Sequence, residues 1–156
     1  ADANYILGGQ ANLWTEQVYN IRQAEYMTWP RGFAVSESLW SPKEKKDWDK
    51  FVSKTENHFV RFDYAKTKYS PAIYDPIVHV TRKDEQYFVE LAPEIGGLDI
   101  YTSFDSSTPD NFYPRYTKPQ PIPKDAVMMR IITYRGDKPM GRLLSIPVED
   151  LKKRVR

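Results

Sequence analysis

The sequence predicts an α+β chain in two parts, with one strand and several helices first and an antiparallel β-sandwich after them. The chain has 156 residues, of which 40% are hydrophobic and 28% are charged, a balance typical of a folded protein. All four tryptophans lie within the first 48 residues, whereas nine of the twelve prolines lie at or after Pro76. Apolar residues recur at intervals of three and four in the first part and in short β-branched runs in the second. These contrasts predict two domains of different class.

The boundary is predicted where two prolines follow each other closely. Residues 69–76 read YSPAIYDP, and Pro71 and Pro76 both disfavour helix at the residue before them. We therefore predict one domain over residues 1–72 and a second over residues 73–156.

The first part is predicted to contain a strand followed by helices. Residues 5–14 are short, apolar and carry two glycines, which favours a buried strand where a ligand or another backbone approaches closely. Residues 22–40 have helical composition, and Pro30 must begin or kink a helical segment there. Ser41 with the following proline predicts the start of another helix. Its apolar stripe consists of Trp48, Phe51, Val52, Thr55, Phe59 and Phe62.

The second part is predicted to hold five short strands separated by turn residues. The runs rich in β-branched and aromatic residues cover 77–80, 87–91, 98–104, 127–134 and 143–146. Turn residues separate them, among them Asp84 and Glu85 in a predicted hairpin turn. Strands of this length and spacing predict an antiparallel sandwich of about 80 residues.

Composition and charge exclude several classes of function. Four of the positive charges lie in the last five residues, so the remainder of the chain is not basic and no nucleic-acid partner is expected. The chain has no cysteine, which excludes disulfide frameworks and thiolate sites. It also contains no apolar run of about 18 residues, so no membrane span is predicted.

No metal or cofactor site is predicted. His58 lies in the predicted long helix and His79 in a predicted strand, far apart and without a second ligand at a recognisable spacing. The glycine pair at residues 8–9 lacks the further glycine or the lysine and hydroxyl residue of a phosphate-binding loop.

The candidate binding residues are Trp14 and Glu16, at the end of the predicted glycine-bearing strand. Residues two apart on an extended segment point to the same side, so an indole can line the apolar face of a sugar while the carboxylate accepts hydrogen bonds from its hydroxyls. From spacing alone, a buried tryptophan beside a solvated glutamate is the simpler interpretation.

The sequence around Trp14 and Glu16 carries two further motifs. Residues 7–16 read LGGQANLWTE, and residues 29–41 read WPRGFAVSESLWS. These segments resemble the end of the catalytic barrel in family 20 glycoside hydrolases, the β-N-acetylhexosaminidases and chitobiase-like enzymes. Residues 97–109 read GLDIYTSFDSSTP and resemble the small C-terminal sandwich of many bacterial members. The resemblance implies the last strand and helices of a (β/α)8 barrel, followed by an immunoglobulin-like sandwich.

The resemblance also implies a role for each matched residue. Trp14 matches a tryptophan that lines the pocket for terminal N-acetylhexosamine, and Glu16 matches a glutamate that binds its outer hydroxyls. Arg31 and Glu37 also match, and we assign them to structure. The implied partners are N-acetylhexosamine-containing glycans, and the implied location is the periplasm or the cell exterior.

No catalytic residue is predicted in this chain. Family members use the acetamido oxygen of the substrate as nucleophile, with an adjacent Asp-Glu pair on a middle barrel strand. Here Asp84 and Glu85 are adjacent, but they lie in a predicted hairpin turn without the flanking glycines of the family. A barrel also needs about 250 residues. We therefore expect a C-terminal fragment of an exo-acting β-N-acetylhexosaminidase that is inactive by itself.

Two further expectations follow from the sequence. The alternative function is a non-enzymatic carbohydrate-binding or adhesion sandwich, with an aromatic platform formed by Tyr101, Phe104, Phe112, Tyr113 and Tyr116. Barrel surfaces left exposed, namely residues 5–14 and the stripe around Phe51, Phe59 and Phe62, are expected either to pair with a second copy or to leave that region disordered.

Overall fold

A computed structural model describes residues 5–155 of the chain; residues 1–4 and the C-terminal Arg156 of the basic run lie outside the described part. The chain divides into two compact units, Ala1–Ser70 and Pro71–Arg156. Helices make up the regular structure of the first unit, and antiparallel strands dominate the second. The predicted α+β class is therefore confirmed. Assigning the two units to a barrel end and a sandwich domain stays a prediction.

The described part of the first unit, from residue 5 onward, contains three α-helices. They are α1 (Ile21–Thr28), α2 (Arg31–Trp40) and α3 (Trp48–Ala65), with a short 3-10 turn at Lys43–Lys45. The break between α1 and α2 falls at Trp29 and Pro30, which confirms the predicted effect of that proline. Asn20 caps α1, since its side chain accepts a hydrogen bond from the backbone N–H of Gln23.

The start of α3 differs from the prediction. Ser41 ends α2, and α3 begins at Trp48 with Asp47 as its N-cap, 3.0 Å from the backbone nitrogen of Lys50. Between Ser41 and Asp47 lie Pro42 and four charged residues, and three of the charged residues are lysines. Lysines oppose the helix dipole in a first turn, so the helix begins after them.

Aromatic rings join the three helices of the first unit. Phe51, Val52, Thr55 and Phe59 form the buried side of α3. The Trp29 ring lies 4.6 Å from the Phe33 ring and 5.4 Å from the Phe62 ring, between centroids. The Phe59 ring stacks on Tyr69 with centroids 4.0 Å apart. The predicted apolar stripe of α3 is thus this unit's packing surface, apart from Trp48, which stays half exposed. Because Phe51 and Phe59 are buried, the expectation that this stripe is left exposed for self-association is wrong for this chain.

The predicted strand at residues 5–14 is wrong for this chain. Residues 6–14 have no regular secondary structure, and residues 5–14 are exposed. A strand is stable only when it exchanges backbone hydrogen bonds with a neighbour. In the described part of the first unit the regular elements are helices, which satisfy their own backbone groups and offer no strand edge.

The second unit consists of two antiparallel sheets and a short helix. The first sheet has the order β1-β2-β4, and in the second β5 lies between β3 and the pair β6 and β7. The strands are β1 (Pro76–Lys83), β2 (Gln86–Pro93), β3 (Asp99–Ser103), β4 (Gln120–Pro121), β5 (Met128–Arg135), β6 (Lys138–Pro139) and β7 (Leu144–Pro147), and α4 (Val148–Lys152) follows.

Both sheets and α4 contribute to one apolar core. Its buried members include Val89 of β2, Ile131 of β5 and Leu151 of α4, each fully buried. The five strands predicted from sequence are all present as β1, β2, β3, β5 and β7. The two-residue strands β4 and β6 were not predicted. Each consists of one polar residue followed by a proline, so neither shows an alternating apolar pattern.

Among the residues that the structure describes, no helix is both long and apolar enough to cross a membrane.

Candidate binding segment and comparisons

Trp14 and Glu16 lie on the exposed segment that precedes α1. The Trp14 side chain is 72% exposed, and Glu16 is exposed as well. Upstream, Gly9 approaches α2 so closely that a Cβ atom placed on it would lie 2.9 Å from Leu39 Cδ2. Both candidate binding residues are thus accessible to a ligand.

A turn and one side chain fix the backbone around Glu16. The backbone N–H of Val18 donates to the carbonyl oxygen of Thr15 over 3.0 Å, which closes a turn with Glu16 inside it. Gln23 Nε2 donates to the carbonyl oxygen of Gln17 over 2.8 Å. Gln23 Oε1 accepts from the backbone N–H of Tyr19 over 3.1 Å. The segment after Glu16 is thereby tied to the first turn of α1.

Sequence reasoning did not single out Gln23. The available signal is Asn20 followed three residues later by glutamine, the spacing of a capping box. In that motif the glutamine side chain reaches back to the N–H of the N-cap residue. Here it reaches one residue further, to Tyr19, and sequence spacing does not predict that difference.

The two other matched residues, Arg31 and Glu37, make contacts within the helices. Arg31 Nη1 lies 3.2 Å from the carbonyl oxygen of Met27, so the guanidinium donates to the C-terminal end of α1. The Glu37 carboxylate lies 3.5 Å from Lys54 Nζ, which joins α2 to α3. Both contacts agree with the structural role assigned to these residues.

The adjacent carboxylates Asp84 and Glu85 lie in the turn between β1 and β2. Lys83 pairs with Gln86 across this turn, and both acidic residues are exposed. Asp84 adopts a positive φ of 54°, as a residue in a tight hairpin turn does. The hairpin interpretation of this pair is confirmed, and it is not an acid pair set in a pocket.

The aromatic platform of the alternative function does not form. Tyr101 is buried, and Phe104 and Tyr116 pack against the core of the second unit. The Tyr116 hydroxyl accepts from the backbone N–H of Leu91 over 2.9 Å, and the Tyr113 hydroxyl lies 2.6 Å from Ser107 Oγ. Phe112 is 91% exposed, and of these five aromatic side chains it alone presents a fully exposed ring.

The two histidines are held in separate surroundings. The His58 ring packs 4.6 Å from the Phe33 ring in the first unit, whereas His79 is exposed on β1. Within residues 5–155, no three histidine or acidic side chains approach one another closely enough to hold a metal ion.

Sequence comparison shows that the first part of the chain is similar to glycoside hydrolases. Residues 1–43 match the family described as "Glycosyl hydrolase family 20, catalytic domain". This range contains Trp14, Glu16 and helices α1 and α2. The predicted resemblance to family 20 is confirmed.

Curated proteins named beta-hexosaminidase are also similar to this chain. A beta-hexosaminidase of Porphyromonas gingivalis is 29% identical over 139 residues, which is 85% of this chain and 17% of that protein. A beta-hexosaminidase of Akkermansia muciniphila is 33% identical over 67 residues, 40% of this chain and 14% of that protein. Beta-hexosaminidase A of Caenorhabditis briggsae is 50% identical over 42 residues, 27% of this chain and 7% of that protein.

These matches are consistent with a fragment of a family 20 hexosaminidase. The chain spans less than a fifth of the length of each of these three relatives. The match to the Porphyromonas protein covers 85% of the chain, so it must extend well past Ser70 into the second unit. The second unit therefore has a counterpart in a protein that carries the beta-hexosaminidase name.

Proposed function

We propose that this chain is the C-terminal portion of an exo-acting β-N-acetylhexosaminidase, and that its residues 1–72 close the catalytic barrel. The carrying observation is the motif LWTE at residues 13–16, inside the range that matches the family 20 catalytic domain. In this proposal residues 5–14 become the last barrel strand once neighbouring strands are present. The second unit is the appended sandwich, of immunoglobulin-like class.

The proposed role of this chain is to bind the terminal sugar. The Trp14 indole lines the apolar face of an N-acetylhexosamine, and the Glu16 carboxylate accepts hydrogen bonds from its outer hydroxyls. The exposure of both side chains supports this role, because an occupied or buried group could not receive a ligand. The acid that protonates the leaving oxygen and the carboxylate that holds the acetamido group belong to the rest of the enzyme. Retention through the acetamido oxygen is part of the same proposal.

Substitution in the complete hydrolase tests this role. We expect Glu16→Gln to lower kcat/KM for an N-acetylhexosaminide by roughly ten- to a hundredfold, because hydrogen bonds to a charged acceptor are lost. Trp14→Ala should lower it as well through lost contact with the sugar face. Glu44→Gln and Tyr64→Ala, both exposed, are the matched controls and should leave kcat/KM unchanged. Unaltered kinetics for both Glu16→Gln and Trp14→Ala would remove these residues from the site.

Two further parts of the proposal concern the whole protein. A periplasmic or secreted location is expected from the family resemblance, and cell fractionation with an antibody to this chain tests it. Self-association of the isolated chain through residues 5–14 also stays a prediction. Sedimentation velocity tests it, and a single monomeric species at all concentrations would contradict it.

A further inference from the structure

The backbone next to Glu16 is held by the side-chain amide of one residue, Gln23. Both functional groups of that amide are used: the nitrogen donates to the Gln17 carbonyl, 2.8 Å away, and the oxygen accepts from the Tyr19 N–H, 3.1 Å away. The two backbone groups belong to residues on either side of Val18. The amide therefore spans this short stretch of chain and limits its rotation.

The backbone of Gln23 is itself held in helix α1, so its side chain can restrict the motion of the loop after Glu16. It lies in the first turn of α1, and its backbone N–H donates to Asn20 Oδ1 over 2.9 Å. A side chain that starts from a capped helix turn loses less conformational freedom when it binds than one that starts from a loop. The position of the loop after Glu16 is thereby fixed relative to helix α1.

Gln17 follows Glu16 directly in the chain, so holding the Gln17 carbonyl fixes the peptide planes beside Glu16. The turn bond from Val18 to Thr15 closes the same stretch on its other side. Residues 6–14, in contrast, have no regular secondary structure. In this chain the backbone direction at Glu16 is therefore set from its C-terminal side.

We propose that Gln23 is a positioning residue, which holds the Glu16 carboxylate in the direction needed to accept sugar hydroxyls. The inference rests on the proposed function, because it assigns Gln23 a role only through Glu16. Gln23 does not contact the sugar in this proposal. By holding the backbone beside Glu16, Gln23 lowers the conformational entropy that Glu16 loses when the sugar binds.

The test is a double-mutant cycle in the complete hydrolase, with Gln23→Met and Glu16→Gln made singly and together. Methionine keeps the length of the side chain and removes both hydrogen bonds. We expect Gln23→Met to lower kcat/KM by about fivefold or more alone, but by less than about twofold when Glu16→Gln is already present. The matched control is Gln86→Met, which removes a similar bond from Gln86 Nε2 to the Ile122 carbonyl in the second unit and should leave kcat/KM unchanged.

The outcomes separate this inference from the proposed function. Equal losses from Gln23→Met in both backgrounds would show a general structural role and overturn the inference alone. If Glu16→Gln itself has no effect, the proposed binding role fails, and the inference fails with it. Hydrogen exchange on the present chain gives an independent readout: the Tyr19 amide should exchange slowly in the wild type and rapidly in Gln23→Met. Equal exchange in the two proteins would also overturn the inference.

Discussion

Gly141 lies where the second unit has no room for a side chain. Its backbone N–H donates to Thr133 Oγ1 over 3.0 Å, and the same hydroxyl donates to the Tyr74 carbonyl over 2.7 Å. The next residue, Arg142, holds the buried Asp75 carboxylate through its backbone N–H and its guanidinium, at 2.8 and 2.7 Å. This network ties the loop before β7 to the segment that opens the second unit.

Substitution of Gly141 is expected to break that network. A Cβ atom there would lie 2.5 Å from Thr133 Oγ1 and 3.0 Å from the Tyr74 carbonyl oxygen, and neither atom can move without losing a hydrogen bond. We expect Gly141→Ala to lower the free energy of unfolding by about 1–3 kcal/mol. Gly96→Ala is the control, since a Cβ atom there has nothing within 4 Å. Urea unfolding followed by circular dichroism measures both, and equal stability of the two variants would contradict the expectation.

Asp105 organises the loop after β3. Its carboxylate accepts from the hydroxyls of Ser103 and Ser107 and from the Ser107 backbone N–H, and these bonds lower its pKa to about 2. Ser106 between them has a positive φ of 64°, which the surrounding bonds stabilise. The loop therefore depends on an ionised aspartate.

That dependence predicts a change in stability at acid pH. Because the folded-state pKa lies below the ordinary value of 3.8, the ionised carboxylate stabilises the fold above about pH 4, and this contribution is lost as the pH falls through 2. Asp105→Asn should therefore be less stable than the wild type at neutral pH, with a difference that shrinks between pH 4 and pH 2. Urea midpoints at pH 7, 4, 3 and 2 measure it. A difference that stays constant with pH would exclude the carboxylate as its source.

At the scale of elements, the packing of α3 determines which of two N-cap residues begins the helix. Ser41 and Asp47 are both good N-cap residues, and the chain uses Asp47. The buried side of the helix consists of Phe51, Val52, Thr55 and Phe59. An earlier start would add only Pro42 and charged residues to the helix, and none of these would extend its buried apolar side.

The choice of cap can be tested by removing each candidate. Asp47→Ala should lower the urea midpoint of the first unit, because the Lys50 N–H loses its acceptor 3.0 Å away. Ser41→Ala should leave the midpoint almost unchanged. Tryptophan fluorescence follows this unit, since all four tryptophans lie in it. A larger loss from Ser41→Ala than from Asp47→Ala would show that the helix begins earlier in solution.

At the scale of the whole chain, the two units carry different candidate groups. The first unit carries Trp14 and Glu16 within the family 20 match, while the second carries the adjacent acidic pair Asp84 and Glu85 in an exposed turn. General acid catalysis needs a proton donor within hydrogen-bond reach of the leaving oxygen. An exposed hairpin turn supplies no pocket in which a substrate would be held against such a donor.

We therefore expect the isolated chain to release no sugar from a chromogenic N-acetylglucosaminide, whereas the complete hydrolase releases it under the same conditions. The groups proposed to bind sugar cannot replace proton transfer. The assay needs one further variant, Glu85→Gln. Activity that copurifies with the chain and disappears in this variant would show that the hairpin pair is catalytic after all.

The sequence by itself determined which part is mainly helical and which is mainly strand, because periodicity and turn residues are local properties of the chain. It predicted the break at Pro30, the five longer strands and the β1–β2 hairpin. The motifs at residues 7–16 and 29–41 were also sufficient to indicate the family, since a match depends on residue order alone.

Tertiary structure decided three further features of the chain. Whether residues 5–14 form a strand depends on a neighbouring strand edge, and the start of α3 depends on which side chains can be buried. The bonds from Gln23 to the loop beyond its helix cap depend on where folding places that loop. These outcomes depend on contacts between separate segments, which no local pattern encodes.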